Sequence, residues 1–74
     1  MSIHLKSHTK KILKVLEGYG FEIVRWGNHG IIVRNSSGIS FPVPNRTELK
    51  KGTIKAIIRE SGIDYDEFWS KFRG

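Results

Sequence analysis

The spacing of apolar positions in this 74-residue chain changes several times, and each change marks an element. Between Ser7 and Gly18, Ile12, Leu13 and Leu16, followed by Tyr19, recur at helical spacing with Lys10, Lys11, Lys14 and Glu17 between them, which predicts an amphipathic helix. Ser7 or Thr9 offers a capping oxygen at its start, and Gly18 with Gly20 ends it. The pattern then turns strand-like. Phe21–Trp26 is rich in β-branched and aromatic residues, Gly30–Arg34 is a second such run, and Asn35-Ser36-Ser37-Gly38 has the composition of a hairpin turn. Ile39-Ser40-Phe41 is a short third strand, expected to stop at Pro42 and Pro44 because neither proline donates to a ladder. Such short links between strands imply antiparallel pairing.

Helical spacing returns near Lys51-Gly52-Thr53, with Ile54, Ile57 and Ile58 as the buried stripe and Gly62 as a left-handed terminator. Asp64 with Glu67 three residues on has the form of a capping box, and Ile63 is placed to staple onto Phe68. Phe68, Trp69 and Phe72 then give a short closing helix an apolar side, read as core packing in preference to base stacking. The order helix, three strands, helix, with a terminal helical turn, predicts an α+β fold: a three-stranded antiparallel sheet with both main helices on one face. That is the layout of the double-stranded RNA-binding domain, which reads duplex shape and phosphates. The opposite sheet face is then free for a partner.

Length bounds the chain to one expected domain, 1–74, with an ordered core of about 7–72 and no room for an elaborate internal cavity. Cysteine is absent, which excludes disulfides, thiolate chemistry and cysteine-ligated zinc and favours an intracellular setting. No apolar run approaches membrane-spanning length, and Met1-Ser2-Ile3-His4-Leu5-Lys6 has no signal-peptide core, so a cytoplasmic protein is expected.

Charge changes the picture more than composition does. Residues 1–59 hold eleven Lys and Arg against three acids, whereas residues 60–74 hold two against four, so the net +6 belongs to the body of the chain. A basic body favours phosphate backbones through counterion release, although lysines also serve plain solubility. Lys51, Lys55 and Arg59 recur every four residues, forming a stripe away from Ile54, Ile57 and Ile58, with Lys50 just before it. The helix start at Gly52-Thr53 leaves N–H groups free to attract a phosphate. Phosphate contact and a solvated helix face both fit this stripe.

One histidine stands out. His29 sits in Gly27-Asn28-His29-Gly30, between two strands and in basic surroundings. An imidazole changes charge near neutral pH without help, so it both accepts and delivers protons. RNA brings its own nucleophile, the 2′-hydroxyl beside the scissile phosphate. A neutral His29 is suited to take that proton while cations steady the phosphoryl oxygens. This route needs no metal or cofactor, is closed to DNA, and leaves 2′,3′-cyclic phosphate ends. His4 and His8 are not spaced with His29 as a zinc set and are read as incidental.

The run Ile39–Ile54 (ISFPVPNRTELKKGTI) resembles the HicA (YcfA-like) toxin family, whose members carry a Val-Pro-like strand end, a short loop and Glu-Leu-Lys-Lys-Gly-Thr-Leu opening the second helix. Ile57-Ile58-Arg59-Glu60-Ser61-Gly62-Ile63 continues in register, Ile12–Phe21 is similar to the family's first helix and strand entry, and Gly27-Asn28-His29 fits its glycine-led turn. The likeness spans about residues 8–69. Two departures are visible: Asn28 and Gly30 flank a single histidine where the family often doubles it, and Pro44 stands where members commonly carry another histidine. The resemblance implies an mRNA interferase toxin of a type II toxin–antitoxin pair, monomeric alone and neutralised by a HicB-type antitoxin, with His29 as catalytic residue. Gly27, Asn28 and Gly30 would shape the turn, and Arg34, Lys50, Lys51, Lys55 and Arg59 would bind RNA. An antitoxin covering these cations near His29 needs an acidic or mixed surface. A non-catalytic RNA-binding module and a protein-interaction adaptor are the competing classes.

Overall fold

A computed structural model of the chain describes residues 7–27 and 30–74; the expected catalytic His29, its neighbour Asn28, and His4 lie outside the described residues. The elements run α1 (Ser7–Gly18), β1 (Glu22–Gly27), β2 (Gly30–Arg34), β3 (Ser40–Val43), α2 (Lys51–Ser61) and α3 (Tyr65–Arg73). The strands form one antiparallel sheet in the order β1-β2-β3. This is the α+β, double-stranded-RNA-binding-domain-like architecture expected from the apolar spacing. Among the described residues, no helix is long and apolar enough to cross a membrane.

Ile12 and Leu16 of α1 and Ile54, Ile57 and Ile58 of α2 close over the inward-facing Ile31, Val33, Phe41 and Val43 of the sheet. Phe68 and Phe72 of α3 complete this core, so the closing aromatics are packing residues as expected. No β1 residue is fully buried: Ile23 packs partly against the core, and the rest of the strand is exposed.

Three local readings are corrected. The third strand does not stop at Pro42 but runs through it to Val43, with Pro42 opposite Ile32. β3 is an edge strand, where a residue without an N–H is tolerated if that position faces away from the neighbour. The start of α1 is satisfied by the loop before α2 and not by a Ser7 or Thr9 cap: the His8 and Thr9 N–H groups donate to the carbonyls of Thr47 and Arg46. At α3, the Asp64 carboxylate accepts from the Glu67 N–H as expected, but the Glu67 carboxylate accepts from the Tyr19 hydroxyl (3.2 Å), bracing the end of α1 against α3.

Candidate functional site

The site builds outward from an irregularity in β1. Ile23 pairs with Val33 and Trp26 with Ile31, but a bulge intervenes between Ile23 and Arg25. Strict alternation would put Ile23 and Trp26 on opposite faces. The extra residue puts both on the helix-side face, in line with buried Val33 and Ile31. Trp26 is therefore on the helix-side face at the end of the sheet, and remains 43% exposed. Arg25 pairs with Ile32, which in turn pairs with Pro42, so all three share the opposite face.

At this end the ladder closes with Gly27 opposite Gly30, and the two-residue link Asn28-His29 joins them in sequence. Gly30 has φ +135, and a Cβ built there would lie 2.6 Å from the Val43 carbonyl oxygen, so no side chain fits between β2 and the end of β3. Trp26, Gly27, Gly30 and Ile31 together with Pro44, Asn45 and Arg46 line an open hollow of 480 Å³. Arg46 is the one charged side chain among the described residues lining it.

The loop that carries Arg46 is fixed from α1. Thr9 is fully buried; its hydroxyl accepts from the Arg46 N–H at 2.7 Å and donates to the Pro44 carbonyl at 2.6 Å, with the Arg46 carbonyl at 3.2 Å. The His8 Nδ1 accepts from the Leu49 N–H at 2.9 Å, and its ring meets Phe72 edge-on at 5.6 Å between centroids. His8 is thus not incidental: its unprotonated Nδ1 anchors the approach to α2.

A second hollow of 390 Å³ shares Pro44 and Arg46 with the first and adds Glu48, Leu49, Lys50 and Thr53. The two hollows meet at Pro44 and Arg46 and make a trough between Gly27 and Gly30 at one end and the start of α2 at the other. That start has no side-chain cap; the Thr53 and Ile54 N–H groups donate to the Lys50 carbonyl.

The other predicted cations are separated. Lys50 joins Arg46 in the trough, whereas Lys51 lines a different cleft with Tyr65, Trp69 and Arg73. Lys55 and Arg59 continue the exposed side of α2 as the spacing predicts. Arg34 pairs with Glu22 and Ser40 at the far end of β2 from Gly30, roughly 13 Å away at the strand rise, and is not part of the trough.

Sequence reasoning missed Trp26, Arg46, Thr9 and His8. An aromatic one residue before a glycine-led turn was the available signal for Trp26. The hydrogen bonds of Thr9 and His8 join residues 35 to 41 positions apart, and nothing local announces them.

Residues 9–63 match the family model described as the HicA toxin of bacterial toxin–antitoxin systems. No curated protein and no solved structure matches the chain.

Proposed function

The chain belongs to the HicA toxin family, and on that premise we propose that it is an endoribonuclease that cleaves mRNA by histidine acid–base chemistry. The family match carries this reading, since its span takes in both the Gly27–Gly30 segment and the loop before α2. In the proposed reaction His29 takes the proton of the 2′-hydroxyl, the hydroxyl oxygen attacks the adjacent phosphorus, and the P–O5′ bond breaks as the 5′-oxygen takes a proton from water; the hydroxide left behind then takes the proton from His29. The product ends are a 2′,3′-cyclic phosphate and a 5′-hydroxyl. Arg46 and Lys50, along the trough, are suited to hold the phosphates of the strand. Proton transfer of this kind contributes about 10²- to 10⁴-fold, which suits a slow toxin acting on a polymer with a built-in nucleophile. The reaction itself calls for no metal, because the nucleophile is intramolecular.

A toxin of this family has an antitoxin partner. We assign that partner to the HicB type, acting in the cytoplasm by presenting carboxylates to the cations around the turn. The test incubates the protein and its His29→Ala form with mixed RNA in EDTA. Cleavage by the parent with cyclic phosphate ends, and a loss of at least about 100-fold in the variant with RNA binding retained, is the expected result. No cleavage by either form would leave a non-catalytic RNA-binding module.

A further inference from the structure

We propose that Trp26 and Arg46 form a nucleotide subsite beside the turn, Trp26 stacking on an unpaired base and Arg46 holding its phosphate, so that this fold selects single-stranded RNA. The inference rests on the ribonuclease reading and names the substrate that reading leaves open.

Three observations carry it. The β1 bulge turns Trp26 from the outer sheet face to the helix-side face, yet the residue is left 43% exposed, so the turn does not serve burial. Its ring opens instead on a concave space of 480 Å³, within the range of about 300–1,000 Å³ typical of small-ligand sites. Second, Arg46 lines the same hollow, and its backbone is fixed on both sides of the residue's own peptide unit by buried Thr9. A cation on an anchored backbone beside an aromatic face is the pairing that binds single strands: the ring takes a base, the guanidinium a phosphate. Third, Gly30 lines the same hollow without a side chain, since a Cβ there would strike the Val43 carbonyl, so this part of its wall is backbone.

In a duplex both faces of each base are covered by its neighbours. Trp26 therefore reaches a base only where the strand is unpaired. Readers of double-stranded RNA with this architecture instead lay exposed surface across the minor groove. Gly27 and Gly30, which flank Asn28-His29 in sequence, both line the hollow, so a base on Trp26 sets the strand beside these two glycines.

The test uses the full chain carrying His29→Ala, which separates binding from cleavage, and a mixed-sequence oligoribonucleotide of about ten nucleotides. Binding is read by titration in three forms of the probe: single-stranded, base-paired, and abasic with the same backbone. We expect the single strand to bind best. Adding Trp26→Ala should weaken it about 10- to 100-fold, and Trp26→Phe should restore most of the loss. The abasic strand should bind weakly and be indifferent to Trp26. Arg46→Gln should lower the salt slope by about 0.7, one phosphate's worth for a single strand. Circular dichroism of each variant checks that the fold is kept. Equal binding of single strand and duplex, or a Trp26→Ala variant that binds as its parent does, overturns the proposal; so does a Trp26 effect confined to antitoxin binding. Cleavage of the same oligonucleotide by the unsubstituted chain reports on the nuclease reading separately.

Discussion

Thr9 has no exposed surface, and its single hydroxyl serves the loop that holds Pro44 and Arg46 in both directions. Replacing it by valine keeps the shape and removes the partner of the Arg46 N–H. An unpaired donor in a part-buried position costs about 1–3 kcal/mol, and the loop would lose its anchor as well. Thr9→Val is therefore expected to lower urea stability by that amount and to weaken single-strand binding, while Thr9→Ser keeps most of both. Unchanged stability would show that water replaces the hydroxyl. None of this was legible in the chain. A threonine near a helix start reads locally as a cap, and only the tertiary fold brings Pro44 and Arg46 to it. Gly30 was legible as a turn residue. Its closeness to the Val43 carbonyl was not, because that depends on how β3 lies against β2.

At the scale of elements, period did most of the prediction. The span of α1, the second strand, the Gly62 terminator and the Asp64 cap follow from apolar spacing and local capping chemistry. Two elements resisted, both at edges of the sheet. β1 hides its bulge because an extra residue leaves composition unchanged, and with it went the facing of Trp26. β3 runs through a proline that a central strand would exclude. The exposed stripe Lys51, Lys55 and Arg59 spans about 12 Å along α2, and spacing alone left it open as phosphate contact or solvated face. Changing all three to glutamine decides this. If the stripe binds RNA, affinity falls for every sequence alike and the salt slope drops by about 2, roughly 0.7 for each phosphate no longer neutralised. A slope unchanged from the parent would mark the stripe as solvated face, with recognition confined to the trough. Stability should shift little either way, since these side chains are exposed, apart from about 0.3–1 kcal/mol for Arg59 at the helix C-terminus.

At the scale of the whole molecule, the family match ends at residue 63, but the core does not. Phe68 is fully buried, Phe72 nearly so, and α3 touches the site indirectly: Phe72 packs edge-on against His8, whose Nδ1 holds the Leu49 N–H ahead of α2. A chain of this length has about 4–11 kcal/mol of stability, and emptying a buried phenylalanine site costs about 3–5. Phe68→Ala is thus expected to consume a large part of the margin, leaving a partly unfolded population at 37 °C by circular dichroism. Phe68→Leu, which keeps much of the volume, should cost far less. RNA cleavage should then fall with the folded fraction and no further, because Phe68 faces the core and not the trough. A Phe68→Ala protein that stays fully folded would make α3 an appendage to the matched segment. One that stays folded yet loses cleavage would instead tie α3 to the site through His8 and the loop it anchors.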